Sequence, residues 1–330
     1  MDVLSDVLQA IRLTGSVFFV ADLYEPWSIS SPSLEMLQHH MGKKIESISL
    51  FHFVTEGSCV FKTEEGKPFV VQQGSLIIFP NSHAHVMGST LDCSPVPVVR
   101  LLTPEALAGK SHLKHGGDGK KAQFICGYLL CDQRFNPLLG ALPEVVVLSP
   151  DKEDNATPAW PEGVFRMEID SWLNASLRQL TKEVLERRSG STTIITRLTE
   201  VMYIEALRQY MNALPEKSGG WLAAVRDPEI GKALRLLHAN PGKKWSVEQL
   251  ADEVGVSRSA FARRFTELIG ASPMHYLAGW RMQLAKRLLT DHQLSLALVA
   301  ERIGYDSDEA FSRAFQRHTG MPPARWRKSN

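Results

Sequence analysis

The sequence predicts a multidomain protein with a β-rich domain at its N-terminus, helices after it, and an all-helical domain at its C-terminus. Three observations support this fold class. The chain has 330 residues, more than the roughly 100–200 of a single domain. Short β-rich runs separated by glycine occupy the first half, and apolar residues recur at helical spacing from Trp172 onward. Near the end, one pattern of residues occurs twice.

We place the domain boundaries where the composition changes. Residues 1–170 form the β-rich domain, and residues 171–214 carry apolar residues at three- and four-residue intervals, which is typical of amphipathic helices. Residues 215–225 begin with Pro-Glu-Lys-Ser-Gly-Gly, the composition of a flexible linker. Residues 226–330 form the helical domain.

The composition excludes several classes of protein. With 44% hydrophobic and 22% charged residues, the chain is typical of globular rather than disordered or fibrous proteins. The first residues lack the basic start and long apolar run of a signal peptide, so we expect a cytoplasmic protein. Four cysteines are too sparse for a secreted disulfide framework and lack paired zinc-ligand spacing.

Charge is distributed unevenly along the chain. Residues 221–330 hold 17 Lys and Arg against 11 Asp and Glu, an excess of +6, whereas residues 1–220 hold 20 against 25, or −5. The basic C-terminal part is therefore the candidate binder of a polyanion, although solvated helical surfaces often carry a similar excess.

The β-rich domain contains four short runs between residues 47 and 80, separated by glycine-containing turns: SISLFHFVTEG, SCVFKTEEGK, PFVVQQG and SLIIFP. This spacing predicts consecutive antiparallel hairpins. Further strands are predicted at Ala122–Cys131 and Val145–Leu148.

The repeated pattern reads LADEVGVSRSAFARRF at residues 250–265 and VAERIGYDSDEAFSRAF at residues 299–315. Each copy has an Ala-x-x-x-Gly, then a serine that can cap a helix, then two phenylalanines four residues apart. This is the layout of a helix-turn-helix unit. The apolar spacing between the copies predicts one long helix, which would hold them the ~34 Å apart that successive major-groove turns require.

Residues 226–328 resemble the DNA-binding domain of the AraC/XylS family of transcription regulators, chiefly through IGYDSDEAFSRAFQRHTGMPPARWR in the second unit. The resemblance implies seven helices, with the second helix of each unit in neighbouring major grooves of double-stranded DNA. It also implies RNA polymerase as a partner, transcriptional activation, and a homodimer formed through the helices at 172–213. Packing of those helices on the β-rich domain is the alternative.

The resemblance implies that DNA-binding residues lie on both second helices. In the first unit they are Arg258, Ser259, Ala262 and Arg263, and in the second Ser307, Asp308, Glu309, Ser312, Arg313 and Arg317. Arg263 is the best candidate for a base contact, because an arginine can pair bidentately with guanine. The acids at Asp308 and Glu309 either repel the DNA backbone or only favour the helix N-terminus. Lys286 and Arg317 are phosphate neighbours or solvated charges.

The β-rich domain resembles the cupin-type sensory domain of one branch of this family, through FHFVTEGSCVFKTEEGKPFVVQQGSLIIFPNSHAHVM. The resemblance implies a barrel whose interior binds an effector near His52, Glu56, His83 and His85. These residues could instead bind a transition metal. We expect no metal or other cofactor, because His52 is followed by Phe and Val rather than by the His-x-His of metal-binding cupins.

The cysteines offer another possible signal. Cys93 is a candidate for oxidation, although small buried hydrophobes are the alternative role for all four. Cys126 and Cys131 lie on opposite faces of a continuous strand, which disfavours a bond between them. The leading hypothesis is thus a non-enzymatic DNA-binding regulator that responds to a small molecule or redox signal. The alternative is a metal-dependent cupin enzyme fused to a DNA-binding module.

Overall fold

A computed structural model describes residues 2–10, 13–32, 38, 47–103, 105, 112–131, 139–150, 160–215, 218–290 and 294–329. The chain divides into two compact units. The sheet unit comprises Leu13–Asp132 and Leu142–Ala213, and the helical unit comprises Met1–Arg12, Gln133–Ala141 and Leu214–Asn330. The helical unit therefore includes N-terminal residues that the sequence placed in the β-rich domain.

The described part of the sheet unit contains twelve strands in two sheets. They are β1 (Leu13–Tyr24), β2 (Ser28–Ser30), β3 (Ser47–Glu56), β4 (Ser58–Thr63), β5 (Phe69–Gln72), β6 (Leu76–Phe79), β7 (His85–Gly88), β8 (Val96–Pro97), β9 (Leu113–Gly116), β10 (Lys121–Cys131), β11 (Val145–Ser149) and β12 (Val164–Glu168). One sheet has the strand order β12-β11-β6-β3-β10-β1-β9, and the other has the order β5-β4-β7-β2-β8.

The prediction of consecutive hairpins was wrong for most of these strands. β4 and β5 do pair as an antiparallel hairpin, but β3 pairs with β6 and β10 in the other sheet. The chain changes sheet at Gly57, whose φ is +78° and whose added Cβ would lie 2.8 Å from the carbonyl oxygen of Lys121. Because only glycine fits this left-handed and crowded position, the turn sends the chain away from β3 instead of folding it back.

The sequence did not reveal several of the strands, among them β1 and β12. β1 pairs along its length with β10, from Leu13 opposite Cys131 to Tyr24 opposite Lys121. β12 pairs in parallel with β11 and extends the large sheet beyond the last strand that we predicted.

One apolar core fills the space between the two sheets. Phe61 of the small sheet and Phe79, Phe124 and Val147 of the large sheet belong to the same cluster, and none of them is exposed. Burial of each such side chain contributes roughly 1.5–3 kcal/mol to folding. The sheets are therefore held face to face by this shared core.

Two helices follow the sheets, α2 (Ser171–Glu186) and α3 (Ser191–Ala213). Asp170 caps α2 by accepting a hydrogen bond from the backbone N–H of Leu173 at 2.7 Å. α3 packs closely on β1, since a Cβ on Gly15 would lie 2.8 Å from Cγ2 of Thr199. These helices thus cover part of the large sheet.

The helical unit begins with α1 (Val3–Ala10) and continues after the sheet unit with eight further helices. They are α4 (Trp221–Arg226), α5 (Pro228–Ala239), α6 (Val247–Val254), α7 (Arg258–Ile269), α8 (Pro273–Leu289), α9 (Leu296–Arg302), α10 (Asp308–Thr319) and α11 (Pro323–Ser329). From α5 to α11 the described residues form the seven helices that the family resemblance implied. No described helix has the length and apolar content that crossing a membrane would need.

Two features of this unit were not anticipated. α4 overlaps the segment at 215–225 that we expected to be a linker. Trp221 and Leu222 are buried there, and the indole N–H of Trp221 donates to the Tyr276 hydroxyl at 3.0 Å. The second is that α1, at the N-terminus, packs on α5 and α8. His238 of α5 is buried in this unit, and burial lowers its pKa to about 3.

Candidate nucleic-acid interface and barrel cavity

The first helix-turn-helix unit consists of α6 and α7. Gly255 ends α6 with a φ of +82°, and its N–H donates to the carbonyl of Ala251 at 2.9 Å. Ser257 then caps α7 by accepting from the backbone N–H of Ala260 at 3.3 Å. The left-handed glycine and the serine cap define a short turn, as the sequence predicted.

The second unit, α9 and α10, repeats this construction. Gly304 has a φ of +80°, and the N–H of Tyr305 donates to the carbonyl of Ala300 at 2.9 Å. Ser307 caps α10 by accepting from Ala310 N–H at 3.1 Å. The two copies of the pattern are therefore confirmed as two similar folding units.

The paired phenylalanines fix which face of each second helix is buried. Phe261 and Phe265 lie with ring centroids 5.7 Å apart, and Phe311 and Phe315 lie 5.6 Å apart. All four side chains are at most 1% exposed. The predicted DNA-binding positions lie elsewhere on the helices: Arg258, Ser259, Arg263, Asp308, Glu309, Arg313 and Arg317 are exposed, and Ala262, Ser307 and Ser312 are half-buried.

Two exposed arginines of α7, Arg258 and Arg263, make only surface ion pairs. Nε of Arg263 lies 3.8 Å from a carboxylate oxygen of Glu267, and Nε of Arg258 lies 2.8 Å from Glu248. Both arginine side chains are more than two-thirds exposed, at 77% and 68%. Exposed pairs of this kind contribute only about 0–1 kcal/mol, so a phosphate or a base edge can replace the carboxylate.

Arg264, the neighbour of Arg263, has a different environment that the sequence did not indicate. Its Nε donates to Oδ2 of Asp227 at 3.0 Å, and Asp227 is the N-cap of α5. Burial would raise the pKa of Asp227, but hydrogen bonds from the Ile230 N–H and from Arg264 hold that pKa below its usual value. Arg264 therefore ties α7 to α5.

The start of α10 carries negative charge. The pKa of Glu309 is lowered by hydrogen bonds from its own backbone N–H and from Ser307, so its carboxylate is ionised at neutral pH. Together with Asp308 it places acids in the first turn of the helix, where the helix dipole favours them.

Lys286 does not have the position that we expected. It is only 5% exposed, and its ammonium nitrogen lies 5.1 Å from the ring centroid of Trp326. A buried lysine that packs on an indole ring is not available to a DNA phosphate. Sequence alone could not separate this role from a surface charge.

α8 connects the two units and also clamps them together through Arg281. The Nε of Arg281 donates to the carbonyl of Pro241 at 2.7 Å, and Nη2 donates to the carbonyl of Lys243 at 2.9 Å. Both acceptors belong to the loop between α5 and α6. The same guanidinium lies 5.9 Å from the ring centroid of Tyr305, in the turn of the second unit.

The loop and the turn also touch directly. A Cβ on Gly304 would meet the carbonyl oxygen of Gly242 at 2.4 Å and Nη2 of Arg281 at 2.8 Å. The absence of a side chain at Gly304 therefore lets the two backbones meet. Arg281, the loop at 241–243 and the turn at 304–305 form one contact, which we call the Arg281 clamp.

A cavity of about 590 Å³, including the part that is open to solvent, lies in the sheet unit. Its wall is formed by strands of both sheets and by residues near β8. Most lining residues are apolar, among them Phe19, Leu23, Leu50 and Met87. The polar lining residues are Ser31, His52, His85 and Cys126.

The histidines and the cysteine form a chain of hydrogen bonds. Nδ1 of His85 lies 2.9 Å from the carbonyl oxygen of His83, Nε2 of His85 lies 3.0 Å from Nε2 of His52, and Nδ1 of His52 lies 3.1 Å from Sγ of Cys126. A carbonyl only accepts, so His85 carries its proton on Nδ1. His52 must then donate from Nε2, and Cys126 must donate its S–H to Nδ1 of His52.

Burial keeps the hydrogen-bonded groups of His85, His52 and Cys126 uncharged. It lowers the pKa of His85 to about 4, and burial together with His85 holds the pKa of His52 well below its usual value. Burial also raises the pKa of the Cys126 thiol. Stacking of the His85 ring on Phe79, with centroids 3.6 Å apart, fixes its orientation.

The structure brings together only two of the four predicted effector-site side chains. Glu56 is 51% exposed and pairs with Lys121 at 3.0 Å. The register of β3 with β10 skips Thr55, and this irregularity turns Glu56 away from the face that His52 occupies. His83 supplies its backbone carbonyl to the chain rather than its ring.

The prediction that Glu56 lies with His52 and His85 is thus wrong. Within the described residues, no three His, Cys, Asp or Glu side chains are grouped to hold a metal ion. Cys59 and Cys126 are buried, whereas Cys93 is partly exposed, and all three are free thiols. The backbone of Cys131 ends β10, and its side chain lies outside the described residues.

The pKa of His85 predicts that acid destabilises the sheet unit. His85 has a pKa near 6.5 in the unfolded chain, while burial lowers its pKa to about 4 in the folded protein. The free energy of unfolding should therefore fall as the pH drops between these values, by on the order of 3 kcal/mol from His85. Urea unfolding followed by near-UV circular dichroism from pH 4.5 to 7.5 measures this loss.

A His85→Gln variant provides the control. It should be less stable than the wild type at pH 7.5, yet its stability should decline less on acidification. Equal slopes for the two proteins would contradict a neutral, buried His85.

Two family models match the chain. A cupin family model matches residues 2–212, and a helix-turn-helix domain model matches residues 250–329. The first covers nearly all of the sheet unit, and the second runs from within α6 to the end of α11.

The chain is also similar to named proteins along most of its length. A putative AraC-like transcription regulator of Streptomyces lividans is 30% identical over 84% of this chain and 86% of its own. The HTH-type transcriptional regulator AlkR of Acinetobacter baylyi is 26% identical over the full length of both chains. The crystal structure of the AdpA DNA-binding domain with a target DNA is 33% identical, covers 31% of this chain and 92% of that one, and has a TM-score of 0.30.

The cupin match spans more than half of the chain, and the Streptomyces relative aligns with most of it. The chain therefore belongs to the AraC-like transcription regulators, with a cupin domain followed by a helix-turn-helix DNA-binding domain.

Proposed function

We propose that this protein is a non-enzymatic, cytoplasmic regulator that binds promoter DNA through α7 and α10 and responds to a signal received by its cupin domain. The duplicated helix-turn-helix unit, with both second helices exposed on the face opposite their phenylalanines, supports this most strongly. The Arg281 clamp adds to it, because two probes that read one duplex must keep a fixed separation.

The exposed side chains suggest a division of roles. Arg263 reads a guanine, with Ser259 and Ala262 beside it, and Arg313 reads a base for α10. Arg258 and Arg317 neutralise phosphates. Because Asp308 and Glu309 repel the backbone, α10 reads fewer base pairs than α7. Contacts with RNA polymerase and activation of transcription complete the proposal, and they follow the family resemblance.

Replacing Arg263 by Met should reduce the preference of the protein for one base pair of its site by about 1–3 kcal/mol, since the bidentate pair is lost. Affinity for the other positions should remain. Sites selected from genomic fragments, then varied one base pair at a time in a fluorescence-anisotropy titration, provide the measurement.

Arg264→Met is the matched control, because this neighbour binds Asp227 instead of pointing away from the unit. It should lower stability without shifting base preference. If Arg263→Met weakens all sites equally, Arg263 is a phosphate contact and the proposed role is wrong.

We also propose that α2 and α3 form a homodimer contact. Ile194 and Val201 of α3 are 42% and 47% exposed and lie seven residues apart, which places them on one helical face. Trp172 of α2 is 45% exposed. These large apolar side chains remain outside the core that the same helices form with the sheet.

Val201→Glu should weaken dimerisation at least about tenfold, because a charge would be buried without a partner. Sedimentation velocity over a range of concentrations measures this. Thr192→Glu, on an exposed position two residues from Ile194 and on the other side of α3, should have no such effect. A wild-type protein that stays monomeric at high micromolar concentration would contradict the proposal.

A thiol signal through Cys93 is a second candidate, favoured by its exposure relative to Cys59 and Cys126. Oxidation of an accessible thiol by peroxide gives a sulfenic acid. If Cys93 is the sensor, hydrogen peroxide should change the DNA affinity of the wild type but not that of Cys93→Ser. Equal responses would exclude Cys93.

A further inference from the structure

In the cavity of the sheet unit, the polar side-chain atoms of His52, His85 and Cys126 already have hydrogen-bond partners within the protein, and this limits what can bind there. We propose that the cavity takes an uncharged, largely hydrocarbon molecule with at most one hydrogen-bond acceptor, which Ser31 would meet. This inference rests on the proposed sensory function and names the chemical class of its signal.

The first argument concerns charge. Among the residues that the structure describes, those that line the cavity include no Asp, Glu, Lys or Arg. The groups there that can ionise, His52, His85 and Cys126, form a closed neutral chain in which every ring nitrogen has a partner. A charged ligand would lose its hydration and gain no counter-charge, which is a large cost in an apolar site.

The second argument concerns hydrogen bonds. His85 donates to a carbonyl and accepts from His52, which in turn accepts from Cys126. None of these nitrogens can bind a ligand without leaving another buried group unsatisfied, which costs about as much as the new bond gives. The apolar wall, rather than the histidines, must therefore supply the affinity.

Ser31 is the exception among the described lining residues. Its hydroxyl oxygen accepts from the backbone N–H of His85 at 2.9 Å, but no described acceptor takes its own proton. A hydroxyl with a free proton can donate to a single ketone, ether or ester oxygen. This sets the position of the one polar group that a ligand can carry.

The size of the cavity sets an upper limit. Its volume of about 590 Å³ includes space that is open to solvent, so the enclosed part is smaller than this figure. A short aliphatic chain or a single substituted ring fits this limit better than a sugar or a nucleotide, which would also bring many unmatched hydroxyls.

The test uses the full chain and four probes at pH 7.4: 2-octanone, ethylbenzene, octanoate and octylammonium. Isothermal titration calorimetry should show that both neutral probes bind, and that octanoate and octylammonium bind at least about tenfold more weakly than 2-octanone. Tighter binding of either ion than of 2-octanone would overturn the proposal, and so would failure of both neutral probes to bind.

Variants locate the site. Ala21→Leu places a larger side chain in the cavity and should weaken the binding of both neutral probes at least about tenfold. Val70→Leu also enlarges an aliphatic side chain of the sheet unit, at a position that is 53% exposed and outside the cavity, and it should leave the affinity for both probes unchanged. If Ala21→Leu does not fold, Leu102→Trp at the edge of the cavity serves instead. Wild-type affinity in a folded wall variant would place binding elsewhere and overturn the proposal.

Ser31→Ala separates the polar contact from the apolar one. It should weaken the binding of 2-octanone by roughly twofold to tenfold, the effect of one hydrogen bond, and leave the binding of ethylbenzene unchanged. An equal loss of affinity for both probes would show that the substitution changes the shape of the cavity wall and removes no hydrogen bond to the ligand. That result would overturn the assignment of Ser31 as a donor.

DNA binding by the same preparation without probes distinguishes the two levels of the argument. Specific DNA binding together with no binding of the neutral probes would contradict only the ligand class. Absence of specific DNA binding would contradict the proposed function, whatever the probes do.

Discussion

The rigid junction between the two helix-turn-helix units is the constraint on which DNA reading depends. α8, with 17 residues, spans about 26 Å at 1.5 Å per residue. A helix alone would fix the distance but leave rotation of the small units to side-chain packing. The Arg281 clamp removes that freedom, because its guanidinium donates to carbonyls of the loop that leads into α6 and lies over Tyr305 in the turn of the second unit.

The sheet unit resolves a different physical problem. Two imidazoles and a thiol are buried in an otherwise apolar interior, where an unpaired polar group is costly. The chain from Cys126 through His52 and His85 to the carbonyl of His83 satisfies each of them without creating charge. The result is a neutral wall next to a cavity, which suits recognition by shape and apolar burial more than by ion pairing.

The features that were predicted correctly depend on residues that are close together in the sequence. The serine caps, the left-handed glycines and the paired phenylalanines all act within one or two helical turns, so their spacing is visible in the chain. The wrong or missing features depend on distant partners. β3 pairs with β10 about seventy residues away, an irregularity in that register displaces Glu56, and Lys286 is buried beneath Trp326. No local spacing distinguishes these outcomes from their alternatives.

The most direct test of the rigid junction is the distance between α7 and α10 in solution. Spin labels on unnatural amino acids at Thr266 and Gln316, both exposed, would report it by double electron–electron resonance. The account predicts one narrow distance distribution for the wild type, unchanged by DNA, and a broader distribution for Arg281→Met. A broad wild-type distribution that narrows only on DNA would contradict it.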